Sequence, residues 1–458
     1  MRIPPIKRCI CFALICALLV IFFLSIKEYE GADQQIGPVR TTEIDSSQHL
    51  KPPSSSEPTS AKKLWFFKNG ELYPSPAKEY SRNLYIPDYW LLPDLRLSQT
   101  DRIVNQLMYV PYDYGDVKAS RQIKTILLYN GLLKWNVTKG RDVFVSDKCP
   151  VDTCQLTDDM GMVEDVEMIL YKDRYTPTAK VSSVRRIRAL YTSQITMLYN
   201  LECPFNTLEL NVPDAINWTA SYRRDSSIVT PYSKWVYYDD NVQQRAQDRN
   251  YAENKTKKVA WFVSNCNADN GRLEYALELQ KHIEVDIYGA CGTLQCSRVT
   301  SEKCFKLLET DYKFYLAFEN SNCKDYISEK YLVNALDRGV LPIVMGAHPQ
   351  DYAALAPHDS YLHVDSFGSP KDLAEYLMVL DADDDLYNSY FLWKGTGEFI
   401  NTHFWCRVCA MLHNKVQLKK PYFYKDYNDW WGGPNVCTNG TWNNFTKVGL
   451  DPSQVHSS

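Results

Sequence analysis

Between Val259 and Met345 short apolar runs alternate with amphipathic ones, and this alternation limits the fold more than any other feature of the chain. Val259–Val263 is apolar and strand-like, and Ser264–Gly271 is polar. Arg272–Ile283 carries Leu273, Ala276, Leu277 and Ile283 on one helical stripe. Val285–Tyr288 is a second apolar run, closed by Gly289. The pattern then repeats. Phe314–Phe318 reads as a strand and Glu319–Asp325 as a polar loop. A helix is predicted over Ile327–Arg338 with Tyr331, Leu332, Ala335 and Leu336 inward, Gly339 suits its C-cap, and Val340–Met345 reads as a buried strand. Strand–helix–strand units predict a parallel sheet covered by helices. Ligands of such sheets bind beyond the carboxyl ends of the strands, so loops 264–272 and 319–330 form the candidate ligand site.

The first half is less regular. Ile126–Tyr129 and Met168–Tyr171 read as strands, Ser182–Arg188 is polar, and Ala189–Leu201 holds strand-like apolar residues. A second α/β domain is expected there, with the boundary in the charged stretch Asp239–Lys258. Hydrophobic residues make up 45% of the chain, ample for packed cores in both halves.

The N-terminus sets the expected compartment. Arg2, Lys7 and Arg8 precede an uncharged run from Cys9 to Ile26. As a helix that run spans about 27 Å, enough for a thin bilayer. The positive flank predicts a cytoplasmic N-terminus and a lumenal body. The run is long for a signal peptide, and no small-x-small cleavage site follows it. Lys51–Ser60 is rich in Pro and Ser and has no apolar face, as a flexible stem would be. Sequons at Asn136, Asn217, Asn254, Asn439 and Asn444 agree with a secretory address. The body also holds an odd number of cysteines, which predicts several disulfides and at least one thiol left over.

A net charge of -4 without a basic stripe argues against nucleic acid as a partner. The acidic run Asp381–Asp385 reads as a solvated loop rather than a metal site, and the eight histidines show no ligand spacing. Asn320, Tyr326, Glu329 and Lys330 cluster past a strand and at a helix start, with Arg272 at the neighbouring strand–helix turn. Free N–H groups and two cations suit a nucleotide diphosphate without a metal, and Glu329 could accept from ribose hydroxyls. By spacing alone, Glu-Lys at a helix start is more often a solvated pair. Cys406-Arg-Val-Cys409 alone could be read as a redox or zinc pair, although an oxidising compartment favours disulfides.

Tyr312–Gly346 (YKFYLAFENSNCKDYISEKYLVNALDRGVLPIVMG) closely resembles the signature of the α1,3-fucosyltransferase family. Ile216–Tyr232 (INWTASYRRDSSIVTPY) resembles a second block of that family, and Cys406 with Cys409 its C-terminal cysteine pair. Tyr387–Leu412 and the tail Asp426–Trp442 are similar to the invertebrate core-type subgroup, which acts on the innermost N-acetylglucosamine of N-glycans. The resemblance implies a GT-B fold, two Rossmann-like domains facing a cleft. The expected organisation is a cytoplasmic tail (1–8), a transmembrane signal-anchor (9–26) and a stem (27–63). An acceptor-side domain (64–245), a GDP-fucose-binding domain (246–415) and an extension (416–458) follow. Such a chain would be a single-pass type II protein of the Golgi membrane.

The resemblance also implies roles. Arg272, Asn320, Tyr326, Glu329 and Lys330 would contact the donor GDP-fucose, and an N-glycan would be the acceptor. No cofactor or metal is essential, and a stimulatory divalent cation stays open. A β-linked donor and an α-linked product require inversion by one displacement, with a base on the acceptor hydroxyl. Glu202, in Tyr199-Asn-Leu-Glu-Cys-Pro204, matches the family's base position, and a surface carboxylate beside a structural Cys203 is the bland alternative. Arg223 and Asp225 would shape the cleft or form an interdomain salt bridge. Cys149 and Cys154 resemble family cysteines, and joining them to Cys406 and Cys409 would tie the C-terminal segment to the first domain. A peripheral Lewis-type fucosyltransferase and a non-catalytic lumenal GDP-sugar or glycan-binding protein remain the alternatives. A hydrolase is disfavoured, since no nucleophile elbow is present.

Overall fold

The computed structural model describes residues 62–76, 91–92, 101–176, 194–296, 301–418 and 424–442. All of them belong to one unit, Ala61–Ser458. The expected tail, anchor and nearly all of the stem lie outside the described residues, as does Asn444. Among the described residues no helix is long and apolar enough to cross a membrane.

The first half builds a parallel sheet from β1 (Lys124–Leu128), β2 (Cys154–Thr157), β3 (Met168–Lys172), β4 (Ile195–Tyr199), β5 (Trp218–Ser221) and β6 (Ile228–Val229), in the order β2-β1-β3-β4-β5-β6. β1 and β3 are apolar runs buried on both faces, the pattern a helix-covered parallel sheet demands. The short helix α1 (Arg102–Leu107) packs on it. β7 (Trp235–Tyr237) ends this half.

The second sheet holds β8 (Lys257–Phe262), β9 (Val285–Tyr288), β10 (Tyr312–Phe318), β12 (Leu341–Met345) and β13 (Leu362–His363), in the order β13-β12-β10-β8-β9, again all parallel. Two strand pairs stand apart: β11 (Asn322–Cys323) with β15 (Cys437–Thr438), and β14 (Gly397–Phe399) with β7. Among the helices are α2 (Arg272–Leu279), α3 (Glu329–Leu332), α4 (Pro349–Leu355), α5 (Pro370–Ala382), α6 (Phe404–Leu412) and α7 (Tyr427–Gly432). Two parallel-sheet lobes are therefore present, as the GT-B expectation requires.

Two expectations need correction. The helix predicted over Ile327–Arg338 is broken into α3 and a 3-10 turn at Leu336–Arg338. Between them the Asn334 N–H donates to the Glu329 carbonyl five residues back at 3.2 Å, out of the α-helical register, and its side chain donates to the buried Tyr315 hydroxyl at 3.1 Å. Residues up to 415 also do not all belong to the second lobe. Trp405–Leu412 of α6 is buried throughout and joins the core of the first sheet with Ile126, Leu128 and Met168. Disulfides Cys149–Cys406 and Cys154–Cys409 fix that return. The last segment lies across both lobes: Tyr424, Tyr427 and Trp431 share a cluster with Tyr171 and Tyr222 of the first lobe and Tyr326 of the second.

Candidate active site

In the second sheet β8 lies between β9 and β10, so successive connections leave it on opposite sides. Such a reversal opens a crevice past the strand ends. There a cavity of about 430 Å³ is lined by Ser264 and Asn265 after β8, Gly289 after β9, and Arg272, Asn320 and Lys330. Gly289 lets the chains close in: its φ is +102°, and a Cβ would lie 2.3 Å from the Val263 carbonyl oxygen. Cys266–Cys291 and Cys296–Cys304 staple these loops.

Arg272 opens α2 and is 4% exposed. Its Nη1 donates to the Phe318 carbonyl at 3.0 Å and its Nη2 to that of Asn265 at 2.7 Å, so it ties the end of β10 to the loop after β8. Burial pulls its pKa down, opposed by the charge of Glu319. Lys330 donates to Glu319 Oε2 and to Ser328 Oγ, both at 2.8 Å. Burial disfavours its charge, but Glu319 and Glu329 more than offset this and raise its pKa. Glu319 itself is fully buried and also accepts from the Ser328 N–H at 2.7 Å. Gly346 makes its room, since a Cβ there would meet Glu319 Cγ at 2.5 Å. Because α3 is only four residues long, the positive character of this wall comes from Lys330 rather than from a helix dipole.

Glu202 follows β4 in the first lobe yet bonds to the second. Its Oε1 accepts from Asn320 Nδ2 at 3.2 Å, from the Tyr326 hydroxyl at 3.1 Å and from the Cys203 N–H at 2.9 Å. Partial burial lifts its pKa, but these donors and Asn206 outweigh that and hold the carboxyl below its ordinary value. Burial and the charges of Glu319 and Glu202 push Tyr326 far up, so it stays a donor. Tyr222 donates to the Glu202 carbonyl at 3.4 Å and Tyr232 to that of Leu201 at 2.8 Å, which holds the loop. Thus Arg272, Asn320, Glu329 and Lys330 line the cavity, whereas Tyr326 is not among its lining residues and bonds Glu202.

Other expected residues are placed differently. Arg223 chelates Asp225 at 2.9 and 2.6 Å and lies 4.3 Å over the Trp430 ring, while Lys324 reaches Asp225 at 3.4 Å. Burial would raise Asp225, but Arg223 and Lys324 hold it low. Arg223 and Asp225 both belong to the first lobe; the bridge between lobes is Lys324–Asp225, and neither Arg223 nor Asp225 lines the cavity. Asn217 is 1% exposed and its Oδ1 accepts from the Thr196 N–H at 2.8 Å, so this sequon is closed in the folded protein, against expectation. Asn136, Asn254 and Asn439 are exposed. The leftover thiol is Cys203, buried and 3.0 Å from Ser321 Oγ. Among the described residues, both groupings with metal-ligand geometry include a disulfide cysteine, which offers no thiolate. Sequence reasoning missed Glu319, whose only signal was an acid directly after a strand. It also missed the pairings Cys266–Cys291, Cys296–Cys304 and Cys323–Cys437, which spacing does not encode.

Comparison with known proteins places this site in a class. Residues 252–430 match the family model "Glycosyltransferase family 10 (fucosyltransferase) C-term", and residues 121–233 match "Fucosyltransferase, N-terminal". The chain belongs to this fucosyltransferase family. It is similar to glycoprotein 3-alpha-L-fucosyltransferase A of Drosophila melanogaster, 64% identical over 389 residues, 84% of this chain and 76% of the relative. It is 29% identical over 332 residues to alpha-(1,3)-fucosyltransferase fut-1 of Caenorhabditis elegans, 68% of this chain and 73% of that one. A crystal structure of an alpha1,3-fucosyltransferase aligns with TM-score 0.44 and 16% identity, covering 66% of this chain and 94% of its own. The protein is a glycosyltransferase whose donor substrate is GDP-fucose.

Proposed function

We propose that this enzyme transfers L-fucose from GDP-β-L-fucose, in α1,3 linkage and with inversion, to the innermost N-acetylglucosamine of N-glycans. It does so in the Golgi lumen, anchored through Cys9–Ile26. The observation that carries the proposal is the hydrogen bond that Glu202 accepts from Asn320, a residue that also lines the cavity holding Arg272 and Lys330. A carboxylate of the first lobe thereby stands beside the cationic crevice of the second. Glu202, ionised at neutral pH, takes the proton of the acceptor O3 as it attacks the anomeric carbon. Arg272 and Lys330 face the charge that develops on the departing diphosphate, where a preorganised cation acts without reorganisation. The name of the 64%-identical relative, a glycoprotein 3-alpha-L-fucosyltransferase, supports the acceptor class. The test is incubation with GDP-fucose and defined N-glycopeptides, followed by linkage analysis. Fucose on O3 of the asparagine-linked sugar is expected. Fucose only on antennal N-acetylglucosamine would replace this reading with a peripheral one.

A further inference from the structure

A second group of ions crosses between the lobes one residue from Tyr326. Arg224 lies in the first lobe, in the turn between β5 and β6, while Asp325 and Asp351 belong to the second, the latter on α4. The Arg224 backbone N–H donates to Asp325 Oδ2 at 2.9 Å and its Nε to Oδ1 at 2.6 Å. Its Nη2 reaches Asp351 Oδ1 at 2.5 Å, and Asp351 Oδ2 accepts from the Asp325 N–H at 2.8 Å. The Asp325 side chain is fully buried and that of Asp351 is 7% exposed. Arg102 of α1 donates to the Arg224 and Ser226 carbonyls behind them.

This arrangement fixes one backbone position from three sides. Asp325 has a φ of +59°, a left-handed conformation that costs a non-glycine residue energy unless its surroundings impose it. Its N–H and both carboxylate oxygens are committed to the two partners. The next residue is Tyr326, whose hydroxyl bonds Glu202 Oε1. Stability alone explains the group poorly. Two buried carboxylates against one guanidinium carry a desolvation penalty that apolar side chains would avoid. Burial and Asp351 push the Asp325 carboxyl up, with Arg224 pulling it back. In the neighbouring Arg223–Asp225–Lys324 group, Lys324 also crosses to Asp225, while Arg223 is tied to the Trp431 carbonyl of the C-terminal segment.

We propose that Arg224, clamped by Asp325 and Asp351, is a positioning residue of the transfer reaction: it latches the lobes so that the Tyr326 hydroxyl is held on Glu202. The inference rests on Glu202 being the base. The test is a double-mutant cycle in the full chain with Arg224→Ala, Tyr326→Phe and both together, reading kcat and KM for each substrate, GDP binding by calorimetry and thermal unfolding. Arg224→Ala should lower kcat roughly ten- to a hundredfold, the cost of a small misplacement at a reacting centre, with GDP affinity changed by no more than about threefold. Arg224→Lys should restore part of the loss. In the Tyr326→Phe background, Arg224→Ala should cost less than about threefold more. Equal losses in both backgrounds, or wild-type kcat in Arg224→Ala, would overturn the latch. Should Arg224→Ala fail to fold, Arg224→Lys takes its place in the same cycle. Glu202→Gln is run alongside. Near-normal turnover there removes the base reading, whereas additive effects with an inactive Glu202→Gln overturn the latch alone.

Discussion

Lys330→Met tests the cationic wall most directly, because it removes one charge and keeps the aliphatic stem. The variant strands Glu319, a carboxylate with no solvent exposure that keeps only Ser328 as donor. Breaking a buried pair from one side costs about 3–5 kcal/mol. The expected destabilisation is therefore about 3–5 kcal/mol. Denaturant unfolding reads this cost. Calorimetry should show GDP binding weakened by about 1.5–3 kcal/mol, one charge-assisted bond. Glu319→Gln with Lys330→Met should recover stability but not GDP affinity. A wild-type unfolding free energy, or unchanged GDP binding, would refute the reasoning.

Glu202→Gln should abolish transfer while leaving GDP binding intact, as competition with GDP will show. The wild-type Glu202 carboxyl is depressed, so the active anion is lost only as pH falls through a value below the ordinary 4.5, and a kcat/KM acid limb near pH 6 would contradict its role as base. Cys323→Ser with Cys437→Ser opens a disulfide spanning 114 residues. The chain-entropy estimate for such a loop is about 4–5 kcal/mol, and a thermal unfolding midpoint close to wild type would show that the tail docks without it. Glycopeptide mass spectrometry should find Asn136, Asn254 and Asn439 carrying glycan and Asn217 bare. Asn217→Ala should destabilise by about 1–3 kcal/mol, because the half-buried Thr196 N–H loses its acceptor.

What the sequence discloses follows its local periodicity. β8, β9, β10 and β12 fall where apolar runs predict them, because a strand buried on both faces must be apolar along its length. Lys330 and Arg272 were found as charges at strand–helix turns. Their partners escaped notice: a fully buried Glu319 looks in sequence like any loop acid, and only Gly346, 27 positions on, makes its room. The broken helix escaped for a related reason, since Tyr331, Leu332, Ala335 and Leu336 keep helical spacing while the Asn334 N–H slips to the Glu329 carbonyl five residues back. Asn217 reads as a glycan acceptor by triplet alone, and nothing in the triplet reports that β4 covers it.

The site depends on one short segment whose residues each meet a different element. Glu319 holds Lys330, Asn320 reaches Glu202, and Ser321 meets Cys203. Asn322 accepts from Asn270 and donates to the Gly440 carbonyl, Cys323 is joined to Cys437, and Lys324 pairs with Asp225. Asp325 is clamped by Arg224, and Tyr326 returns to Glu202. Partners in both lobes and the C-terminal segment thus fix consecutive residues from every side. A loop held this way pays its ordering cost during folding rather than at substrate binding, the condition under which a fixed cation or dipole lowers a barrier most. The same non-local construction explains why function concentrates where a sequence is hardest to read. The strands declare themselves by composition, whereas the residues that join lobe to lobe are set only by the register in which those strands assemble.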